Sequence, residues 1–554
     1  MDKERLSYLQ IHPKDNVLVA LRDLPQGFDV AFGGHTFILR EAIRAKHKFT
    51  ITPLEKDADV LMYGVLVGKM NYAVAEGVLI NTDNLRHASD DFRLGQRKLD
   101  WEKPNVSVFM GRTFNGFHRT NGSVGTANYW LVIPLVFCEN RNVSTLKSAL
   151  EEKLGYQIKS KDYSDEVDEL IARYQSGASA DELLAIDLSP TKVRKEKTRL
   201  FPNVDGVKFL NHEMGCGGTR MDSDALCGLL AGYITHPNVA GATILSLGCQ
   251  HAQASILRGE IKKRDAAFDK PLYIFEQQLE GTEQELMQKA IKATFAGLTQ
   301  ANKLTRKPAT LDKLCIGLEC GGSDGFSGIS ANPALGYLSD MLVTMGGSVI
   351  LAEFPELCGV EQELSDRCID EAKAEKFMHL MKSYNAKAEA DGSGFYMNPS
   401  PGNIRDGLIT DAIKSAGAAK KGGNSPVVAV VDYPEVANAP GLNLLCTPGN
   451  DVESTTAEVA AGANIVLFTT GLGTPTGNPI TPVIKLSTNT KTFEKMPDII
   501  DINCGTVIDG EETIQETAHR ILEYVIQVAS GDEKPKAVQL GQDDFIPWRR
   551  GVSL

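Results

Sequence analysis

Between residues 12 and about 85, short apolar runs recur: Val17 to Leu21, Phe37 to Leu39, Thr50 to Thr52, Val60 to Tyr63 and Val78 to Ile80. Turn signals such as Leu24-Pro25-Gln26-Gly27, Gly33-Gly34 and Glu76-Gly77 separate them. Runs this short, punctuated by Gly and Pro, predict strands, and so a small all-β module. From Arg86 to Asn105 the pattern lapses into charged, weakly periodic sequence that suits an exposed linker. The apolar stretch Tyr129 to Cys138 follows, and Thr145 to Gly177 then carries helical spacing at Leu146, Leu150, Leu154, Val167, Leu170 and Ile171. Beyond residue 206 strands and helices alternate. The strands are expected at Val207 to Leu210, Ala242 to Leu247, Leu272 to Phe275, Leu314 to Leu318, Ser348 to Ala352, Val427 to Val431 and Ile465 to Phe468. The helices are expected at Glu283 to Gln300, Ala334 to Met345, Gln362 to Tyr384 and Ile514 to Ala529. That alternation predicts an α/β fold with a mostly parallel sheet and crossover helices.

The polar residues gain meaning from this placement. Asn211-His212-Glu213-Met214-Gly215-Cys216 follows the first of these strands and Gly248-Cys249-Gln250-His251 the second. Glu319-Cys320-Gly321-Gly322-Ser323-Asp324 follows the fourth, Glu353 and Glu356 the fifth, and Thr469-Thr470-Gly471 the last. All fall just beyond carboxyl ends of strands, where open α/β sheets bind ligands. The stretch Leu318 to Pro333 is the richest, with two carboxylates, a thiol and several glycines whose backbone can approach a small polar ligand closely. Each loop alone has an ordinary reading, since Gly-Gly marks turns and a Cys after a strand is often a small buried residue. His212 alone could be a satisfied core imidazole. Convergence of several loops on one site is the expectation.

Composition narrows the class. A chain of 554 residues exceeds one core and suggests three or four domains, and 42% hydrophobic with 23% charged residues suits a soluble globular protein. A net charge of -13 argues against a nucleic-acid partner. The one basic run, Lys192 to Arg199, contains Glu196 and no aromatic residue, and reads as a solvated connector. No apolar stretch is long enough to span a bilayer, and the charged Met1 to Arg5 lacks a signal core, so a cytoplasmic location is expected. The ten dispersed cysteines read as reduced thiols, some of them ligands.

Several motifs, in order, resemble those of the altronate/galactarate dehydratase family. They are Asn211 to Cys216, Leu247-Gly248-Cys249, Leu318 to Pro333, Asn398-Pro399-Ser400-Pro401-Gly402-Asn403 and Thr447-Pro448-Gly449-Asn450-Asp451. The β module, with His12 to Val17 and His47-Lys48-Phe49, resembles that family's SAF-type β-clip domain. The resemblance implies a Rossmann-like catalytic region behind the β-clip: residues 1–90 as the SAF-like domain, 91–105 as linker, 106–260 as a middle α/β domain with a dimerisation role, and 261–554 as the catalytic domain. It implies a cytoplasmic hydro-lyase of sugar-acid catabolism that depends on Fe(II) or Mn(II), takes altronate to 2-keto-3-deoxygluconate and works as a homodimer without nucleic acid or membrane. Gln250 stands where a Glu is expected, Ala127 where Arg is usual, and Ala412 and Ala418 replace a Glu and a Cys. These departures concern substrate and activity more than fold.

Dehydrating a 2,3-dihydroxy acid requires removal of a weakly acidic proton beside a carboxylate and departure of hydroxide. A divalent metal stabilises the enediolate, while a base and an acid handle the protons. His212, His251, Glu319 and Lys414 have suitable types, with base and acid undistinguished. Cys216, Cys249, Cys320 and Glu356 are the expected metal ligands, and Ser323, Asp324, Asn332, Asn403, Asn450 and Asp451 the expected substrate contacts. Two alternatives stay open: an iron–sulfur cluster held by Cys216, Cys249 and Cys320 in a galactarate-type or other aldarate dehydratase, and a sugar-acid binding relative without catalysis.

Overall fold

Strands at the start of the chain are short because turns break them, as where Asp29–Phe32, whose burial alternates, runs into Gly33 and Gly34 in the left-handed region. In the computed structural model, which describes residues 6–89, 92–157, 163–188 and 198–553, they form an antiparallel module. Its four-stranded sheet has the order Tyr8–Leu9, Val17–Ala20, Lys48–Thr50, Leu79–Ile80, and smaller sheets flank it. Leu18, Val30, Phe37 and Phe49 fill the module's own core. Val17, Val60, Met62, Tyr63, Val67 and Met70 instead pack into the same core as Ile316, Leu318, Leu335 and Leu351 of the far domain. The module therefore lacks a closed outer surface of its own on that side.

The expected exposed linker is tied down where it is described. The side-chain amide of Gln362 exchanges hydrogen bonds with the backbone of Arg93 (2.8 and 3.0 Å), Arg97 donates to Ser365 O (2.6 Å), and Lys98 N–H donates to Asp366 O (2.7 Å). Residues 92–98 form a strap across the C-terminal domain. Asp90, Asp91 and residues 192–197 of the basic run lie outside the described residues.

The alternating region divides into two parallel sheets. A four-stranded sheet has the order Gly206–Phe209, Tyr129–Pro134, Val239–Ser246, Leu272–Glu276. A seven-stranded sheet has the order Val427–Val431, Gly441–Leu445, Ser348–Leu351, Cys315–Cys320, Ile465–Thr470, Val483–Ser487, Ile502–Asn503. The expected boundary at 260/261 falls inside the first sheet, because Leu272–Glu276 pairs in parallel with Val239–Ser246 and helix Glu283–Ala301 packs on both. The sheets join through helix Arg220–Thr235 against helix Asp451–Ala461, with Leu131, Leu230, Leu445 and Phe468 in one shared core.

All seven expected strands are present within a few residues. Gly441–Leu445 and Val483–Ser487 are two further strands, not legible in the sequence because Asn443 and Lys485 interrupt their apolar runs. Their donors are satisfied inside, Asn443 Nδ2 by Val349 O and Gly441 O and Lys485 Nζ by Gln542 Oε1 at 2.6 Å, while Asn443 Oδ1 has no partner. The single helix expected from Gln362 to Tyr384 is two, Glu361–Asp366 and Glu371–Ala390, broken where Asp370 caps the second by accepting from Lys373 N–H. Among the described residues no helix is long and apolar enough to cross a membrane.

Candidate active site

Strand Cys315–Cys320 sits mid-sheet and ends in the Gly321-Gly322 turn before helix Ala331–Thr344. Glycine is required at 321: a Cβ there would lie 2.0 Å from Asp451 Oδ2, so the missing side chain lets the start of helix Asp451–Ala461 close on the turn. On the adjacent strand end, Glu353 adopts φ +60°, unusual for a residue with a side chain, and is held there by its N–H donating to Thr447 Oγ1 (2.8 Å). This turns its carboxylate back toward Cys320, whose N–H donates to Glu353 Oε2 (3.2 Å).

The result is a buried group of three donors. Cys320 Sγ lies 3.0 Å from Glu356 Oε2 and 3.5 Å from Glu353 Oε2, and all three residues offer ligand atoms within 4.8 Å of one another. Lys421 Nζ approaches Glu353 Oε2 at 2.7 Å and Cys320 Sγ at 2.9 Å, and Lys414 Nζ pairs with Glu356 Oε1 at 2.6 Å while also donating to Asn398 Oδ1. A pocket of about 410 Å³ opens over this group, with Ser323, Asn403, Lys414 and Asp451 on its walls.

The environment separates the protonation states. Burial, then the charges of Glu353 and Glu458, push Glu319 well above the carboxylate range. Burial and the charge of Glu356 raise Glu353 to about 7 and Asp451 to about 6. Burial opposes the charge on Glu356 as well, but Lys414 and Lys421 outweigh it and hold Glu356 below its usual value. The Cys320 thiol is driven well upward by burial and by Glu353 and Glu356. At neutral pH the arrangement combines a firmly ionised Glu356, two ammonium groups, and two acids poised to exchange protons.

The residues meet one test for a divalent cation: Glu353 Oε1 is buried with no hydrogen-bond partner, an acceptor that a metal ion would satisfy. One sulfur with two carboxylates suits a transition metal better than Ca²⁺ or Mg²⁺.

The expected site residues do not all meet. Cys320, Glu356, Lys414, Ser323, Asn403 and Asp451 gather at this pocket. His212, Cys216, Cys249 and His251 follow strands of the other sheet and are absent from both the pocket wall and the three-donor group. His212 is buried with Nε2 on Pro134 O (2.7 Å) and Nδ1 accepting from Met214 N–H (3.1 Å), and burial lowers it to about 4, so it is a satisfied neutral imidazole. Cys249 and His251 are exposed and Cys216 is half-buried. Gln250, at the position expected to be Glu, pins its own loop by accepting from Gly248 N–H and donating to Ser246 Oγ, each at 2.6 Å.

Glu319 lies beneath the pocket floor, fully buried, with neither carboxylate oxygen hydrogen-bonded. Asp324 is committed to Thr488, Asn489 and Lys46 and leaves no face for substrate. Asn332 bridges Gly417 O and Thr469 Oγ1, and Asn450 caps helix Asp451–Ala461 by accepting from Val452 and Glu453 N–H. These three serve the scaffold.

Glu353 follows its strand as expected but stands outside the expected ligand set, Asn398 enters the expectation only as the start of a motif, and Lys421 is absent from it. Lys420-Lys421-Gly422-Gly423 reads as an ordinary basic turn, and only the fold buries Lys421 to 1% exposure beside Cys320.

A parallel α/β sheet with a buried thiol, carboxylates and ammonium groups under a polar pocket is the arrangement of an acid–base enzyme. Three family models cover most of the chain: altronate/galactarate dehydratase SAF domain at residues 6–88, the second domain of D-galactarate dehydratase/altronate hydrolase at 116–302, and the D-galactarate/altronate dehydratase C-terminal domain at 311–553. Altronate dehydratase of Bacillus subtilis (strain 168) is 31% identical over 99% of this chain and 100% of its own length. Altronate dehydratase of Escherichia coli (strain K12) is 32% identical over 95% of this chain and 96% of its own. Galactarate dehydratase (L-threo-forming) of the same strain is 28% identical over 96% and 95%. The chain belongs to the altronate/galactarate dehydratase family and is a hydro-lyase.

Proposed function

We propose that the chain dehydrates a sugar acid, D-altronate to 2-dehydro-3-deoxy-D-gluconate, in the pocket above Cys320, with Fe(II) or Mn(II) held by Cys320, Glu353 and Glu356. The observation that carries this reading is the buried Cys320–Glu353–Glu356 group with an orphaned carboxylate oxygen, directly beneath a pocket walled by Lys414 and Asp451. The full-length similarity to two altronate dehydratases favours altronate as substrate.

Bound there, the metal supplies Lewis-acid stabilisation of the negative charge that develops on the substrate. The protein does the rest. Lys414, fixed by Glu356 and Asn398, presents an ammonium to the substrate carboxylate. Ser323 and Asn403 lie on the wall of the same pocket, where they meet the substrate hydroxyls. Asp451, ionised above about pH 6, takes the proton from C2. The C3 hydroxyl departs as water, carrying the proton that Asp451 took from C2, so that Asp451 is ionised again; the enol so formed tautomerises to the 2-keto acid, and the net change is the loss of one water.

The test is 2-keto acid formation from a panel of aldonates and aldarates with anaerobically supplied Fe(II) or Mn(II), together with metal analysis of Cys320→Ser and Glu356→Gln. Loss of metal and turnover together in both variants is expected. Full turnover after exhaustive chelation, or a Cys320→Ser protein that is merely less stable while keeping metal and rate, overturns the metal assignment. No turnover of any acid overturns the substrate class.

A further inference from the structure

Side chains of the N-terminal β module, Arg44, Lys46, His47 and Lys48, reach the two loops behind the pocket, and one of them bridges both. Lys46 Nζ lies 2.9 Å from Asp324 Oδ2 and 2.9 Å from Asp406 Oδ1. Asp324 is wholly buried and Lys46 is 18% exposed, so the pair to Asp324 is shielded from solvent. Burial opposes the charge on Lys46, but the two carboxylates outweigh it and hold the ammonium protonated. Lys48, fully buried, donates to Gly407 O (2.7 Å), and His47 contacts Arg405 O (3.1 Å).

The two segments thus bridged are those that carry the pocket wall. Asp324 directly follows Ser323, and Asp406 closes the short helix that carries Asn403. They are stitched to each other by Asn403 Nδ2 donating to Ser323 O (2.8 Å) and Gly325 N–H donating to Asp406 O (2.7 Å). The fit is tight: a Cβ on Gly325 or on Gly407 would lie 2.5 or 2.4 Å from Lys46 O.

We propose that Lys46 is a positioning residue for substrate binding: from the N-terminal module it clamps Asp324 to Asp406, and so fixes Ser323 and Asn403 on the wall of a pocket in another domain. This rests on the dehydratase reading of that pocket. Lys46 does not touch the Cys320–Glu353–Glu356 group, so its role separates from metal binding. Displacing wall groups that contact the substrate equally in ground and transition states raises KM more than it lowers kcat.

The experiment compares the full-length parent with Lys46→Met, Lys46→Arg and Asp406→Asn, using D-altronate with Fe(II). Melting temperature, bound metal and amide exchange of residues 323–330 are read on the same preparations. Lys46→Met should raise KM about 10-fold, as loss of a substrate hydrogen bond does, with kcat within about 3-fold by the same uniform-binding argument. Metal content should stay unchanged, exchange at 323–330 should accelerate, and Lys46→Arg should restore most of both. If Lys46→Met does not fold, Asp406→Asn, whose carboxylate is 30% exposed, must show the same KM rise and faster exchange. Unchanged KM and unchanged exchange in a folded Lys46→Met or Asp406→Asn overturn the proposal, as does loss of metal in parallel with activity. If the parent turns over no acid, the dehydratase reading fails separately, and the exchange comparison alone then decides whether Lys46 orders the loop.

Discussion

The Lys421 ammonium lies 2.7 Å from Glu353 Oε2, with both side chains 1% exposed, at the centre of a buried carboxylate cluster. Burial opposes its charge, and Cys320, Glu353 and Glu356 around it hold it protonated. It is the counter-charge that lets Glu319, Glu353, Glu356 and Glu458 share one sheet end.

Removing that cation alone should therefore be costly. Lys421→Met leaves Glu353 without its cation beside Glu356, which keeps Lys414, and a loss of about 3–5 kcal/mol is expected from breaking a buried pair by one partner. The double variant Lys421→Met with Glu353→Gln should recover part of it. Urea unfolding of both variants checks this, and a single variant within ~1 kcal/mol of the parent would contradict the pairing.

As the proposed base, Asp451 should govern the acidic limb of activity. It must be ionised to accept a proton, so kcat/KM should fall about tenfold per pH unit below a midpoint near 6. A divalent cation nearby favours the ionised form, so it moves that midpoint down and never up. Asp451→Asn should lose about 10²- to 10⁴-fold in kcat. A pH–rate profile with its acidic midpoint above 7, or an active Asp451→Asn, would assign the base elsewhere.

Lys48 should make stability depend on alkaline pH. Burial lowers its folded value from 10.5 to about 7, so between these the unfolded chain holds a proton that the folded one has released. Stability gained from this group then rises with pH across that window, by up to about 1.4 kcal/mol per unit, and is constant below it. The difference in unfolding free energy between the parent and Lys48→Met should shift toward the parent from pH 7 to pH 10. A difference that stays flat over that range would place the Lys48 proton elsewhere.

The N-terminal module is not expected to be dispensable. Expressing residues 106–554 would expose the apolar surface that Tyr63, Val67 and Met70 cover and leave Asp324 without Lys46. That fragment should be insoluble or melt well below the intact chain. A monodisperse fragment with parental melting temperature would show that the shared core matters little.

Sequence alone determined the elements and the chemistry on offer. Apolar runs of strand length and 3.6-residue spacing are local properties, so the β module, the parallel α/β region and the Cys-Gly-Gly turn after a buried strand were legible along the chain. The family motifs put Cys320 and Asp451 in view, the position after the fifth expected strand Glu356, and its residue type Lys414. What the chain could not say is which strand ends share a sheet. His212 and Cys249 follow strands as Cys320 does, yet hydrogen-bonded pairing puts them on the four-stranded sheet and leaves His212 satisfied by Pro134 O. Glu353, Lys421 and Lys46 have the opposite history, as ordinary charged residues in sequence. Each acquires its role only when residues tens to hundreds of positions apart are packed together, because desolvation and ion pairing depend on distance in space, and only the tertiary fold sets that distance.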